Sequence, residues 1–98
     1  MHYAAFIDSL AGDACPAGLD PCLQALWHER QGDWDAAHGI VQDISSAMAA
    51  RVHAYLHRKQ GEEWNARYWH RQAGTPFPSG VSLDNEWDSL VRELTSER

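Results

Sequence analysis

The stretch ALWHERQGDWDAA at residues 25–37 is followed 29 residues later by a related stretch, AYLHRKQGEEWNA at residues 54–66. Aligned without gaps, the two share an alanine, a histidine, the dipeptide Gln-Gly and a second alanine. Glycine commonly ends a helix, and an acid directly after it can cap the next helix. Each copy therefore predicts a helix, a glycine break and a second helix that folds back as a hairpin.

Helical periodicity extends beyond the two copies. Apolar residues recur at intervals of three and four in nearly every segment, and no segment shows sustained alternation with a period of two. The predicted fold is therefore all-α with about six helices. The expected helices cover residues 2–11, a segment capped by Asp20 and ended by Gly32, a segment capped by Asp33, residues 47–60 after Ser45 or Ser46, residues 62–73, and a last helix capped by Ser82 or Asp84.

Ninety-eight residues, 44% of them apolar, are typical of one folded domain with a single core. We therefore treat residues 1–98 as a single domain. Its expected parts are an N-terminal helix and linker at 1–20, a first hairpin at 21–44, a second hairpin at 45–74, and a loop with a C-terminal helix at 75–98.

The two hairpins resemble tetratricopeptide-type repeats, which place small residues, an aromatic and a turn glycine at fixed positions. The matching positions are Ala25, His28, Gly32, Ala37, Val41 and Ile44 in the first hairpin, and Ala54, His57, Gly61, Ala66, His70 and Ala73 in the second. The interval is shorter than the roughly 34 residues of that family, and histidine replaces its aromatic. The resemblance covers residues 21–74 and implies stacked hairpins flanked by amphipathic helices, with no implication of catalysis.

The segments GDWDAAH, VHAYLHR and NARYWHRQAG are also similar to those of a group of small, uncharacterised bacterial proteins. That resemblance implies a small bacterial cytoplasmic protein and no particular activity. No run approaches eighteen apolar residues, and the first residues lack the basic flank and apolar run of a secretory signal. We expect a cytoplasmic protein with no membrane partner, in which Cys15 and Cys22 are free thiols, with a disulfide as the alternative.

The net charge of −6 is unevenly distributed. Residues 1–50 carry seven acids against one base, Arg30, whereas residues 51–71 carry five bases against two acids. Overall acidity argues against nucleic acid as a partner, because that binding needs many phosphate contacts from a basic face. The basic segment either faces solvent or binds a small anion or an acidic peptide.

His53 and His57 stand four residues apart, a spacing at which two imidazoles on one helix face can share a metal ion. If the hairpins stack, His28 from the first hairpin is the expected third ligand, with Glu29 or a cysteine as candidates to complete the set. The competing interpretation is that His28 and His57 pack between helices as flat side chains. Because the chain lacks HExxH and paired CxxC motifs, the first expectation is no cofactor, with metal or small-ligand binding as the alternative.

No nucleophile elbow, phosphate loop or dinucleotide motif is present, so we expect no enzymatic activity. Acid–base pairs such as Asp33 with His38, or Glu62 with His57, can be drawn. A capping role explains both acids more simply.

Two surfaces are candidates for binding a protein partner. Helical geometry places Trp64 and Tyr68 opposite the apolar stripe of their helix, flanked by Arg67 and Arg71. Trp, Tyr and Arg commonly anchor interfaces, either with a foreign protein or between two copies in a homodimer. The alternative is that the last helix covers these aromatics.

The tetratricopeptide resemblance implies the second surface, a groove lined by the first helix of each hairpin. Its basic residues would suit an acidic segment, unless the first or last helix fills the groove. The lining residues would be Arg51, Tyr55, Arg58 and Lys59. The sequence therefore predicts a non-catalytic protein–protein interaction or self-association module.

Overall fold

The computed structural model describes residues 1–95, in which six α-helices and no β-strand are found. The all-α prediction with about six helices is confirmed. The helices are α1 (Tyr3–Ser9), α2 (Pro21–Arg30), α3 (Trp34–Val41), α4 (Ala47–Lys59), α5 (Glu63–Ala73) and α6 (Leu83–Thr95).

Short polar side chains begin four of these helices. Each accepts a hydrogen bond from a backbone amide two or three residues further on, at Asp20 (2.8 Å), Asp33 (3.1 Å), Ser46 (3.1 Å) and Ser82 (3.1 Å). These bonds satisfy amides that have no partner inside the helix. The expected cap at Glu62 is wrong, because its side chain makes no capping bond to α5.

The turns inside the two copies have the same backbone geometry. Gly32 and Gly61 adopt positive φ angles of +88° and +80°. In each turn, the amide after the glycine donates to the carbonyl oxygen of the histidine five residues before it, at 2.9 Å and 3.0 Å. This bond closes a helix end that requires a left-handed residue, which is why glycine stands there in both copies.

The helices pair as two hairpins around a central α4. Helix α2 packs on α3, and α4 packs on α5, while α4 also contacts α2, α3 and α6. The largest fully buried side chains are Tyr55, Phe6, Leu26, Leu56, Leu90, Val41, Val52 and Val91. They come from five of the six helices, so one core joins both hairpins to the flanking helices.

Helix α6 lies across the first helices of both hairpins and also contacts α1. The Trp87 indole N–H donates to the Leu26 carbonyl oxygen at 3.2 Å, and its ring lies 6.1 Å from that of Phe6. The last helix is thereby fixed to α2 and α1.

Within the described residues, none of the helices combines the length and apolar character needed to cross a bilayer.

Candidate metal centre

Three histidines from two helices converge between the hairpins. His38 lies on α3, and His53 and His57 lie one turn apart on α4. One ring nitrogen from each lies within 4.8 Å of the nitrogens of the other two. The Nε2 atoms of His38 and His53 are 3.0 Å apart. These three residues are referred to below as the histidine cluster.

Helical spacing and an anchored tryptophan bring the cluster together. Residues four apart share a helix face, so His53 and His57 both meet α3. The Trp34 indole N–H donates to the Leu56 carbonyl oxygen at 2.7 Å, which fixes the start of α3 against α4. One turn later His38 stacks on the Trp34 ring, with centroids 4.8 Å apart and planes 11° from parallel.

Two indole rings form walls around the cluster. Trp34 covers His38 and meets the edge of His57, while Trp69 of α5 stacks on His53 with centroids 3.9 Å apart. His53 and His57 are 4% and 8% exposed, and His38 is half-buried. Solvent therefore reaches the cluster through His38.

Glu62 orients His57 from outside the cluster. Its Oε1 atom lies 2.9 Å from His57 Nδ1, and the side-chain amide of Asn65 lies 3.2 Å from the same nitrogen. A carboxylate only accepts hydrogen bonds, so the shorter contact requires a proton on Nδ1, and in the neutral ring the lone pair then lies on Nε2. The Asn65 amide nitrogen is itself a donor, so it contacts this protonated nitrogen without a hydrogen bond to it. A carboxylate that holds the second nitrogen of an imidazole is the usual outer partner of a metal-bound histidine.

Burial keeps His38 and His53 uncharged near neutral pH. Burial, together with the neighbouring imidazoles of His38 and His57, lowers the pKa of His53 to about 4. Burial also lowers the pKa of His38, and His57 adds to that effect. Neutral imidazole is the form that binds a metal ion, so at neutral pH these two ligands need not lose a proton first.

Three imidazole nitrogens at this separation suit a transition-metal ion. Zinc binds histidine nitrogen at roughly 2.0–2.1 Å, which places tetrahedral ligands about 3.4 Å apart. One pair of ring nitrogens in the cluster lies 3.0 Å apart, and no separation within the set of three exceeds 4.8 Å, so small side-chain rotations would bring all three nitrogens to one ion. Imidazole ligands favour Zn, Cu or Ni, whereas Mg and Ca prefer oxygen ligands.

The expected third ligand, His28, does not belong to the cluster. Its ring meets Trp27 edge-on, with centroids 5.3 Å apart. Helix α2 meets α4 through Tyr55, whose hydroxyl donates to Glu29 at 2.7 Å. Tyr55 lies on a different side of α4 from His53 and His57, so it is α3 that brings a histidine to that pair.

The residues missed by sequence reasoning are His38, Trp34 and Trp69. The tryptophans are expected only as core residues, and His38 has no predicted binding role. One signal does exist, because His38 follows Trp34 by four residues and so lies on the apolar stripe of α3. A titratable residue on such a stripe indicates a buried polar site.

The predicted basic groove is filled, because α6 lies against the first helices of both hairpins. Tyr55 is 1% exposed and cannot line a surface. The three bases each pair with an acid: Arg51 with Glu93, Arg58 with Glu86, and Lys59 with Glu29. In the described part of the chain, α6 therefore occupies the position at which the acidic peptide was expected.

The other candidate surface is exposed. Trp64 is 72% exposed and Tyr68 is 44% exposed, so the last helix does not cover them. The Arg71 guanidinium lies 6.0 Å from the Tyr68 ring centroid, and that of Arg67 lies 4.1 Å from the ring of Phe77. Trp64, Tyr68 and Arg71 form what is named below the α5 patch.

The two cysteines are unpaired, as expected. Cys22 is buried, and burial together with the Asp20 carboxylate raises the pKa of its thiol to about 11. A thiol in this state is a weak nucleophile and a poor metal ligand near neutral pH.

Comparisons with models of known families, with curated proteins and with solved structures gave no significant match to the chain.

Proposed function

We propose that the protein binds one first-row transition-metal ion through His38, His53 and His57. The supporting observation is the convergence of three imidazole nitrogens in a largely buried site. The Glu62 carboxylate supports the proposal further, because it fixes the tautomer of His57 that leaves Nε2 free. The ligand set favours Zn²⁺, Cu²⁺ or Ni²⁺.

Isothermal titration of chelator-treated protein with each of these ions tests the proposal. We expect one ion per chain, with the stoichiometry verified by native mass spectrometry. His57→Ala should weaken binding by about 100-fold or more, because two nitrogens hold an ion far less well than three.

His28→Ala is the matched control, because His28 occupies the aligned position in the first copy and lies outside the cluster. It should bind the ion as the wild type does, and circular dichroism should show that both variants fold. If the wild type binds no ion, or if the two variants lose equal affinity, the proposal is wrong.

A second candidate function is protein–protein interaction or self-association through the α5 patch. It is supported by the 72% exposure of Trp64 beside Tyr68 and Arg71. Light scattering after size exclusion measures self-association, and affinity capture from the source lysate tests a foreign partner. The triple variant Trp64→Ala, Tyr68→Ala, Arg71→Ala should lose the contact. If it behaves as the wild type does in both measurements, the patch is not the interface.

We propose a setting consistent with both functions, in which the chain is a cytoplasmic, tetratricopeptide-like protein without enzymatic activity and without nucleic acid as a partner. The paired helices α2 with α3 and α4 with α5 support the repeat interpretation. Two unpaired cysteines support a reducing compartment.

A further inference from the structure

Among the described residues, the cluster offers three side chains that can ligate a metal ion. The adjacent rings of Trp34 and Trp69 cannot add a fourth, because an indole nitrogen only donates hydrogen bonds. The Trp34 N–H is in any case used by the Leu56 carbonyl.

Glu62 and Asn65 do not supply the fourth ligand either. Both lie against Nδ1 of His57, which is not the nitrogen available to an ion. They therefore contact the metal-binding residue His57 and would not contact the metal ion itself.

Zinc, cobalt and copper ions in proteins take at least four ligands in most sites. Structural zinc sites fill all four positions with side chains, whereas sites with three protein ligands hold water in the fourth. An ion held by His38, His53 and His57 belongs to the second type.

The surroundings limit what can occupy that position. His38 is the half-buried member, and the two indole rings cover the flanks, so the route is narrow. Three neutral imidazoles do not compensate the charge of a divalent ion. Of the two carboxylates that act electrostatically on His38, Asp35 and Glu62, the second is already hydrogen-bonded to His57. The charge favours an anion, and the walls favour a small one.

We infer that the metal ion in this site keeps one exchangeable coordination position, which takes water or a small monodentate anion that enters beside His38. The inference rests on the proposed metal-binding function and extends it, because an exchangeable position makes the site a binding site for a second ligand.

Cobalt substitution with an azide titration tests this inference. Chelator-treated protein is loaded with one equivalent of Co²⁺, and its visible absorption is followed as sodium azide is added. We expect a visible spectrum of low-symmetry, four-coordinate Co²⁺ that changes saturably with azide, at one azide per ion. His28→Ala, the matched control, should show the same change.

The outcomes separate the inference from the proposed function. If Co²⁺ and Zn²⁺ bind at one per chain and azide leaves the cobalt spectrum unchanged, the fourth position is closed and the inference is overturned while the metal-binding function stands. If His57→Ala gives the same azide-dependent spectrum as the wild type, the ion lies elsewhere and both are overturned. If neither ion binds, both also fail.

Discussion

The second helices of the two hairpins carry different chemistry in the same register. In the gap-free alignment of the two copies, Trp34 and His38 of α3 correspond to Glu63 and Arg67 of α5. The first pair stacks, with ring centroids 4.8 Å apart, and contacts the histidines of α4. The second pair is an exposed ion pair in which Arg67 Nε lies 3.0 Å from Glu63 Oε2.

The difference follows from what each helix faces. Helix α3 packs against α4, the first helix of the next hairpin, so its facing side chains become part of a core. On α5, the aligned Arg67 meets Phe77 in the loop before α6. A site of this kind therefore forms where one hairpin packs against the next, and two hairpins form one such junction.

Replacing His38 by arginine, the residue at the aligned position of α5, should have the largest effect on metal binding and stability. His38→Arg removes a ligand and places a permanent positive charge beside His53 and His57, so metal binding should be abolished. The free energy of unfolding should also fall by about 3 kcal/mol, because the new charge is half-buried without a partner. Isothermal titration and chemical denaturation measure the two effects.

The reciprocal variant Arg67→His is the control for that exchange. It should retain full metal affinity and lose less than about 1 kcal/mol of stability, since it removes an exposed ion pair and a contact with Phe77. Equal losses in the two variants would contradict the distinction between α3 and α5.

The histidine cluster should make the metal-free protein sensitive to mild acid. The pKa of His53 is about 4 in the folded chain and about 6.5 when unfolded, so between these values the unfolded state binds the proton. The free energy of unfolding should therefore be highest above pH 6.5 and should fall by about 3 kcal/mol as the pH falls toward 4. Urea denaturation with a chelator, repeated at several pH values, measures this loss.

His53→Gln should flatten that pH dependence over the same range, because the amide does not titrate. His28→Ala tests whether the sensitivity belongs to the cluster, since His28 lies outside it. If the wild type and His53→Gln lose stability in parallel, the acid sensitivity has another source.

Most of the fold could be predicted because its signals are local. Asp20 before a proline, Gly32 before Asp33, and Gly61 each mark a helix boundary within one turn of chain, and the structure places boundaries at all three. Capping bonds and positive φ angles depend on neighbouring residues only. Distant contacts do not alter them.

The site could be predicted only in part, because it depends on how helices cross. The spacing of His53 and His57 identifies two of the three ligands. The third depends on which helix of the first hairpin meets that face, and periodicity is equally compatible with His28 on α2 and His38 on α3. The sequence could not show for the same reason that the groove at Tyr55 is filled, since the exposure of Tyr55 depends on where α6 packs.

Trp34→Ala should have the next largest effect on stability, at about 2 kcal/mol. The substitution removes a half-buried indole, its hydrogen bond to the Leu56 carbonyl and its stacking on His38. Glu63→Ala, at the aligned position of α5, should cost less than about 0.5 kcal/mol because its ion pair is exposed. Thermal denaturation of both variants measures the contrast, and similar losses would show that α3 is not anchored through Trp34.

The acids that follow the two turn glycines, Asp33 and Glu62, should have different roles. Substitution of the first should lower stability, and substitution of the second should lower metal affinity. Asp33 caps the Ala36 amide, so Asp33→Ala should cost about 1 kcal/mol of stability and leave metal affinity unchanged. Glu62 caps nothing and holds His57 Nδ1, so Glu62→Ala should leave helix α5 intact and weaken metal binding by about 10-fold.

Titration and thermal denaturation of both variants distinguish these roles. Loss of metal affinity in Asp33→Ala, or its retention in Glu62→Ala, would show that Glu62 does not orient His57. The expected division would mean that the second copy keeps an acid at the capping position and uses it to orient His57, a metal ligand of the same copy. One aligned position would then stabilise a helix in the first hairpin and position a metal ligand in the second.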